Sequence, residues 1–394
     1  MTILDVAVPC PLRRSFDYLA PENSELKAGT RVLVPFGNRR LVGVVLGSKT
    51  HSELPEHKLK TATALDSTPT LNRELMKLAK WAAHYYHHPI GEVVQQMLPV
   101  RLRKEKAAQE KRHSYFVLTD AGRAFNGDTL ARAPKQAALL DWLQHQQGAT
   151  RDALKQNGYD YGVIKALRDK GLITSVQEPP AQYDLTRPPT LNDEQAQALS
   201  KLAAEFGRFQ PALLEGVTGS GKTEVYLQAI APLLAAKQQV LILVPEIGLT
   251  PQTVARFEKR FSIAVGVLHS QLTDSARLLV WQRAKAGELG IIIGTRSAIF
   301  TPFKALGMII VDEEHDESFK QQDGLRYHAR DLAAVRAKEE NIPLLLGSAT
   351  PALETLNNAL TGRYTHLQLT QRAGGAQRTQ QHLLDARDQP VHYG

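Results

Sequence analysis

The first hundred residues alternate short apolar runs with Pro, Gly and Asn. Runs of strand length lie at Ile3–Val8, Arg31–Val34 and Leu41–Gly47, and the residues between them are typical of turns. From Asn72 to Tyr86 the apolar positions recur with helical spacing instead. The pattern predicts a small β-rich domain with a helical end over residues 1–105.

A second unit follows a charged stretch that begins at Arg101. Three short helices followed by the apolar Leu172 and Ile173 predict a winged-helix domain over residues 106–177. A winged helix can bind DNA through its third helix or dock another protein, and the pattern leaves both roles open. The three helices are predicted at Pro134–Gln146, Thr150–Gln156 and Tyr161–Lys170.

The proline-rich residues 178–189 break both helix and strand, which predicts an interdomain linker. After them, apolar runs of strand length alternate with helical segments, the βαβ pattern of a parallel sheet. This predicts a third domain over residues 190–372, and a multidomain α/β protein as a whole. The strand-like runs are Ala212–Leu214, Val240–Val244, Ile291–Ile293, Met308–Val311 and Leu344–Leu346.

Composition narrows the choice of compartment and partner. The single Cys10 excludes a disulfide framework and a cluster of thiols for zinc, and no apolar run is long enough to span a bilayer, so a cytoplasmic protein without a membrane partner is expected. The excess positive charge lies in residues 1–183, with 26 Lys and Arg against 18 Asp and Glu, whereas residues 184–394 carry 22 of each. A basic front half suits phosphate contacts, although an ordinary solvated surface explains the charge equally well.

The strongest chemical signal is a glycine-rich run between a predicted strand and a predicted helix. Glycines there let backbone N–H groups wrap phosphates, while a lysine neutralises the β and γ oxygens and a hydroxyl holds Mg²⁺. The run therefore predicts a P-loop for ATP and Mg²⁺, with Lys222 on the phosphates and Thr223 on the metal. Its nucleotide-binding residues are Gly216, Val217, Thr218, Gly219, Ser220, Gly221, Lys222 and Thr223.

A second signal follows the apolar run Met308–Val311, which ends in Asp312-Glu313-Glu314-His315. Such an ending places acidic groups at the carboxyl edge of the sheet, where α/β proteins bind ligands. We assign Asp312 to the Mg²⁺ of ATP, and Glu313 to orienting and deprotonating the attacking water. With Lys222, these two are the predicted catalytic residues.

A third strand-to-loop junction carries Ser348, Ala349 and Thr350. Together with His315, these small residues are predicted to couple the state of the nucleotide to a bound strand. The order GKT, DEEH, SAT is that of superfamily 2 helicases. Longer stretches of this sequence resemble the PriA family of bacterial replication-restart helicases: FDYL at 16–19, YYHHPIG at 85–91, GVTGSGKTEVYL at 216–227, VPEIGLTPQ at 244–252, GTRSAIFTPF at 294–303 and DEEHDESFKQQ at 312–322.

The resemblance implies an ATP-dependent 3′-to-5′ DNA helicase that recognises stalled or abandoned forks and initiates primosome assembly. It implies a RecA-like first helicase lobe at 190–372 and a domain for 3′ DNA ends at 1–105. The implied partners are forked and single-stranded DNA, the nascent-strand 3′ end, single-stranded DNA-binding protein and other primosome proteins, in a bacterial cytoplasm at nucleoid-associated forks. The alternative is a non-catalytic module that binds fork DNA and ATP.

The resemblance also implies roles for single residues of the third domain. Gln195 looks like the adenine-reading glutamine, with plain helix surface as the alternative. Three residues match positions that contact a DNA strand, namely Thr250, Gln252 and Arg296.

Residues 319–328 resemble the aromatic-rich loop of the family, which couples single-stranded DNA to hydrolysis. Phe319 and Tyr327 are expected to stack bases, and Lys320 and Arg326 to meet phosphates, because aromatic side chains interleaved with cations suit single strands. Packing in the core is the alternative for the two rings.

In the front domain, four residues match the family's pocket for a free 3′ end. Phe16 is expected to stack the terminal base, Asp17 to accept from the 3′-hydroxyl and Lys60 to meet a phosphate, with Gly37 beside them. Core packing is the alternative for Phe16.

The resemblance implies a second lobe, of which residues 373–394 would be the start. In the family that lobe supplies an arginine finger and a cysteine-rich zinc region, for which the single Cys10 of this sequence is not sufficient. We therefore expect the 394 residues to bind ATP–Mg²⁺ and DNA better than they hydrolyse or unwind, since loss of an arginine finger costs roughly a thousandfold in rate or more.

Overall fold

The computed structural model describes residues 2–22, 24–105, 114–125, 130, 133–145, 148–177 and 188–372. The predicted linker lies outside these residues apart from its last two positions, and the predicted start of a second lobe lies wholly outside them. Within the described residues, no helix is both long enough and apolar enough to cross a membrane.

The front domain is built on a five-stranded antiparallel sheet in the order β2-β1-β4-β3-β5. Its strands are β1 (Ile3–Ala7), β2 (Phe16–Leu19), β3 (Arg31–Phe36), β4 (Arg39–Lys49) and β5 (Thr63–Ala64), and its helices are α1 (Arg73–Tyr85) and α2 (Ile90–Met97). The three predicted strands and the predicted helix are present. The short strands β2 and β5 and the helix α2 are additions that the sequence pattern did not predict.

The helix α1 begins where the sequence provides a cap. The Asn72 side chain accepts a hydrogen bond from the Leu75 backbone N–H at 3.0 Å, which satisfies a free donor of the first turn. The buried face of α1, with Leu75 and Leu78, packs against α11 (Ala329–Glu340) of the third domain. The front domain therefore shares a core with the third domain.

The second unit combines a three-stranded antiparallel sheet, order β7-β6-β8, with helices. Its elements are β6 (Ser114–Leu118), α3 (Asp120–Ala124), α4 (Pro134–Gln144), β7 (Ala149–Thr150), α5 (Arg151–Gln156), α6 (Tyr161–Asp169) and β8 (Ile173–Gln177). The three predicted helices are α4, α5 and α6, and they enclose a core of their own around Leu139 and Leu167. The winged-helix assignment stays a prediction.

The third domain is a seven-stranded parallel sheet in the order β11-β12-β10-β13-β14-β9-β15, with buried apolar clusters that draw on its two faces. Its strands are β9 (Pro211–Gly216), β10 (Gln239–Leu243), β11 (Gly266–Leu268), β12 (Ile291–Gly294), β13 (Leu306–Asp312), β14 (Leu344–Ser348) and β15 (Thr365–Leu369). Its remaining helices are α7 (Asp193–Ala203), α8 (Lys222–Ala235), α9 (Pro251–Phe261), α10 (Asp274–Ala286) and α12 (Leu353–Leu360). All five predicted strands are present.

The strand order brings the chemical motifs together. Strands β13, β14 and β9 are neighbours, with Asp312 opposite Gly347 and Ser348 opposite Glu215. Because parallel strands end at the same edge of a sheet, Asp312, Ser348 and the start of the P-loop at Gly216 lie side by side.

Candidate ATP site and DNA-contacting residues

The P-loop runs from the end of β9 into the start of α8. Gly219 and Gly221 have φ of +82° and +85°, a left-handed conformation that glycine adopts at little cost. A side chain at Gly216 would press on the Ser220 hydroxyl. Lys222 Nζ donates to the Gly216 carbonyl at 2.9 Å and lies 3.8 Å from Glu313 Oε1. The lysine is therefore held at the point where the strand edge, the loop and the acidic motif meet.

A cavity of about 760 Å³ opens over this loop. The P-loop residues from Val217 to Thr223, with Asp312 and Glu313, form one part of its wall. Three cations of α9 form another part: Arg256, Lys259 and Arg260, of which Arg260 pairs with Glu224 at 2.6 Å. The positive lining suits a polyphosphate. The α9 cations were not predicted as site residues, although their spacing of three and four places them on one helix face.

Asp312 is mostly buried at the end of β13, and its Oδ1 accepts from the Tyr226 hydroxyl at 2.9 Å. Burial raises the pKa of Asp312 and Glu313 adds to the rise, while the hydrogen bond from Tyr226 and the charge of Lys222 oppose it. A divalent cation beside this carboxyl would favour its ionised form. Among the described residues, no three His, Cys, Asp or Glu side chains are arranged so that they could hold a metal ion by themselves. Nucleotide phosphates would supply further ligands to a Mg²⁺ held by Asp312.

Glu313 lines the same cavity, and its backbone has an unusual conformation. Its φ is +48°, which is uncommon for a residue with a side chain, and non-glycine residues in this region cluster at functional sites. The next acidic residue, Glu314, is fully buried and accepts from Arg330, the Thr355 hydroxyl and the Ala352 backbone N–H. Glu314 therefore fixes the motif in place, whereas Glu313 is exposed to the cavity.

The predicted coupling residues lie in contact. His315 Nδ1 is 2.7 Å from the Ser348 hydroxyl, and His315 Nε2 is 3.4 Å from the Thr350 hydroxyl. The Ser348 hydroxyl also accepts from the Thr350 backbone N–H at 3.0 Å, with Ala349 between them. One imidazole thus joins the ends of β13 and β14.

Gln195 is buried and not on the helix surface. Its side-chain carbonyl accepts from the Asn192 backbone N–H at 3.1 Å, as part of a capping box at the start of α7, and its amide donates to the Ser220 carbonyl at 2.8 Å. The glutamine therefore connects α7 to the P-loop. Adenine reading stays a prediction.

The predicted strand-contacting residues lie on two separate segments. Thr250 caps α9, since its hydroxyl accepts from the Thr253 backbone N–H at 3.1 Å, and it is exposed, as is Gln252. Arg296 follows β12, and its guanidinium donates to the carbonyls of Ser318 at 3.1 Å and Lys320 at 3.4 Å. Arg296 thereby holds the segment that carries Lys320.

The structure corrects the expectation for the aromatic-rich segment. Phe319 and Tyr327 are 1% and 2% exposed, and the Tyr327 ring packs against Phe300 with centroids 5.1 Å apart. In this arrangement neither ring is available to stack a base, and core packing, the alternative, is correct. Lys320 and Arg326 are exposed, so the cations of the segment stay available for phosphates.

The predicted 3′-end pocket is partly assembled. Phe16 is half-buried and packs edge-on against Phe36, the neighbour of Gly37, with ring centroids 5.1 Å apart. Lys60 is exposed, and its carbonyl accepts from the Leu19 backbone N–H at the end of β2.

Asp17 of the same pocket already has partners. Its carboxylate accepts from Lys49 at 2.8 Å and Ser52 at 2.7 Å. Burial works to raise the pKa of Asp17, but these hydrogen bonds outweigh it and the pKa lies below its ordinary value. A 3′-hydroxyl would have to share an ionised carboxylate with Lys49 and Ser52.

Comparison with known proteins fits both parts of this description. Residues 5–99 match the family model of a 3′DNA-binding domain (3′BD), and residues 192–359 match that of the DEAD/DEAH box helicases. The Replication restart protein PriA of Haemophilus influenzae is 45% identical over 100% of this chain and 55% of its own length. The PriA of Bacillus subtilis is 33% identical over 98% of this chain and 57% of its own length. The chain thus spans about half the length of the curated relatives it matches.

Solved structures match only in part. A structure of RecG bound to a three-way DNA junction aligns with 49% of this chain and 26% of its own, at 25% identity and a TM-score of 0.37.

Proposed function

We propose, on the premise that this chain belongs to the PriA family of replication-restart proteins, that it is part of an ATP-dependent DNA helicase that recognises forks carrying a free 3′ end. The observation that carries the proposal is the meeting of three motifs at one sheet edge: Lys222 of the P-loop, the Asp312–Glu313 pair and the His315–Ser348 contact. They share a chain with a domain that matches a 3′DNA-binding family.

ATP and Mg²⁺ fit the residues at this edge. The buried Ser220 hydroxyl lacks a hydrogen-bond partner among the described residues, and the turn is built on left-handed glycines beside a cation-lined cavity. Asp312 and Thr223 would hold Mg²⁺, which when bound neutralises charge on the β and γ phosphate oxygens. Lys222 would bind the same phosphates in place of its present bond to the Gly216 carbonyl.

Hydrolysis needs a group that takes a proton from water, and we assign that step to Glu313. Its carboxylate lines the cavity 3.8 Å from Lys222 and 3.7 Å from His315. His315 then links the catalytic glutamate to Ser348 and Thr350 at 2.7 and 3.4 Å. We infer that a change at the γ-phosphate moves this link and so alters the neighbouring strand-contacting loops.

DNA recognition is assigned to exposed and half-buried groups of the front domain and the third domain. Phe16, Asp17, Gly37 and Lys60 would bind the 3′ end of a nascent strand, and Arg296, Lys320 and Arg326 would meet the backbone of a single strand. Thr250 and Gln252 add exposed polar contacts at the start of α9. Single-stranded DNA-binding protein and other primosome proteins are the partners that the PriA relationship suggests, in the cytoplasm of a bacterium.

The test measures ATP–Mg²⁺ binding and fork binding by the purified chain. Lys222→Ala should abolish ATP binding while fork binding in the absence of nucleotide persists. Lys201→Ala is the matched control, since Lys201 is an exposed lysine of the adjacent helix α7 and does not line the cavity. Fork-stimulated turnover, measured on the same samples, distinguishes an active enzyme from a binding module. Unchanged ATP binding in Lys222→Ala, or no preference for forks with a 3′ end, would contradict the proposal.

A further inference from the structure

A second cavity, of about 390 Å³, lies where the front domain meets the third domain, residues 190–372, which is called the helicase-like domain below. One wall is formed by residues 96–100 and Arg103 of the front segment 96–103, and the opposite wall includes α10 and the turn that follows β12. The front segment is fixed in place, because the Leu102 carbonyl accepts from the buried Arg31 at 2.7 Å. The cavity is therefore a formed feature of the junction between the two domains.

Three arginines line this cavity without a carboxylate partner. Arg103 donates to the Leu98 carbonyl at 2.9 Å, and Arg277 to the His269 carbonyl at 2.6 Å. Arg296 donates to backbone carbonyls as well. All three are half-buried, and none has a carboxylate oxygen within 4.0 Å in the described part of the chain.

Elsewhere the chain pairs its buried arginines. Arg31 bonds Asp66, Arg330 bonds Glu314 and Arg336 bonds Glu340, at 2.6 to 3.0 Å. Removing a guanidinium from water is costly unless an anion compensates. The three neighbouring guanidinium groups of the cavity have no carboxylate in direct contact, and only the more distant charge of Asp274 acts on Arg103. They therefore form a site that an external anion would complete.

The other polar residues of the cavity are compatible with an anion that binds beside the arginines, away from the exposed carboxylates. The carboxylates of Glu246 and Asp274 also line the cavity, but both residues are exposed, whereas the arginines are half-buried. The Thr295 and Ser297 side chains contribute hydroxyl donors, and Ser297 lies 3.5 Å from Arg277. The indole N–H of Trp281 is buried with no hydrogen-bond partner among the described residues.

We propose that this junction cavity binds a backbone phosphate of single-stranded DNA through Arg103, Arg277 and Arg296, so that one strand contacts both domains. The inference rests on the proposed function. It extends the path of the bound DNA from one domain to the other. Arg296 is a predicted DNA contact of the helicase-like domain, whereas Arg103 belongs to the front segment. Arginine is suited to this role, since its planar fork matches two phosphate oxygens.

The test is the salt dependence of single-stranded oligonucleotide binding by the full chain, measured by fluorescence anisotropy. Each phosphate contact that is lost lowers the slope of log affinity against log salt by about 0.7 to 1. Arg103→Gln should lower the slope by that amount and weaken binding roughly tenfold at low salt. Arg103→Lys, which keeps the charge, should restore most of the slope.

Arg101→Gln is the matched control, because Arg101 is an exposed residue of the same turn and does not line the cavity. Arg277→Gln provides a second variant on the opposite wall, and thermal unfolding of each variant verifies its fold. Equal slopes for Arg103→Gln, Arg101→Gln and the unaltered chain would overturn the inference alone. Failure of the unaltered chain to bind DNA even at low salt would overturn the proposed function and the inference with it.

Discussion

The carboxylate of Asp312 depends on one tyrosine of the neighbouring helix. Tyr226 is fully buried in α8, and burial raises the pKa of its hydroxyl well above the ordinary value, so it stays a donor to Asp312. A side chain at Gly347 would overlap the Tyr226 hydroxyl, and glycine therefore leaves room for the contact. The hydrogen bond from Tyr226 thus opposes the rise that burial causes in the pKa of Asp312, the predicted metal ligand.

We expect Tyr226→Phe to raise the pKa of Asp312 further and to weaken Mg²⁺–ATP binding by roughly tenfold, since a hydrogen bond to a charged group contributes on the order of 1.5 kcal/mol or more. The metal binds the ionised carboxyl, and a raised pKa means that this form is lost at a higher pH. The deficit should therefore grow as the pH falls. Titrations of Mg²⁺ at several pH values measure it, and an equal loss without Mg²⁺ would point to a disturbed P-loop instead.

A site residue can be predicted from sequence when its neighbours along the chain determine where its side chain lies. Asp312 and Ser348 end their strands, so an apolar run that ends in a polar group is enough to place them at one edge. Lys222 begins α8, and the glycine-rich run before it is what predicts its role. Phe319 and Tyr327 cannot be placed in this way, because aromatic side chains interleaved with cations form the same pattern in a core as on a DNA-binding surface. Tyr327 packs against Phe300, and both rings belong to an apolar cluster that includes residues distant in sequence.

At the scale of elements, the sequence pattern predicts the central strands of the parallel sheet but not its edge strands. The central strands β10, β13 and β14 are nearly continuous apolar runs, as expected where both faces are covered. The edge strand β15 alternates His and Gln with Leu, and β11 has three residues, so neither shows a comparable run. An edge strand forms because it can hydrogen-bond to a neighbouring strand of the sheet. Its own residues do not identify that neighbour.

The strand β3 begins with a buried ion pair that ties the front sheet together. Arg31 is fully buried and donates to Asp66 at 2.6 and 2.8 Å, and Thr70 donates to the same carboxylate. Burial works to raise the pKa of Asp66, but the bonds from Arg31 and Thr70 outweigh it and lower the pKa below 3.8. A lowered carboxyl pKa contributes stability that is present above pH 3.8 and is lost as the pH falls through the folded value.

We expect Asp66→Asn to lower the free energy of unfolding by about 3 kcal/mol at neutral pH, because it leaves Arg31 buried without its counter-charge. The variant should also lose the acid-dependent part of stability below about pH 4. Urea unfolding at about pH 7 and about pH 3 tests both statements. Asp5→Asn is the control, since Asp5 is a partly exposed carboxylate of the same sheet, 3.5 Å from Lys49. A larger effect for Asp5→Asn would contradict the assignment.

At the scale of the whole molecule, the front domain and the helicase-like domain share one apolar cluster. Leu75, Leu78 and Val94 of the front helices belong to the same cluster as Trp281 and Leu332 of the parallel-sheet domain. Polar contacts cross the junction as well, since Lys285 donates to the Pro69 carbonyl at 2.6 Å and the Tyr86 hydroxyl accepts from the His328 backbone N–H at 3.3 Å. The helical second unit has a separate cluster. The sequence pattern does not predict this shared cluster, because the pattern of each predicted domain shows only that it has an apolar face.

A shared core implies that the two domains unfold together. We expect Leu78→Ala, a fully buried truncation in α1, to cost about 2–5 kcal/mol and to reduce amide protection in β3 and in α11 alike. Lys77→Ala is the neighbouring control, because its ion pair with Glu339 is exposed and contributes less than about 1 kcal/mol. Amide hydrogen exchange gives the protection of each element, with α4 and α6 unchanged in both variants. If β3 loses amide protection while the protection of α11 is unchanged, the two domains unfold independently. Single-stranded DNA bound at the junction would then lack a fixed path from one domain to the other.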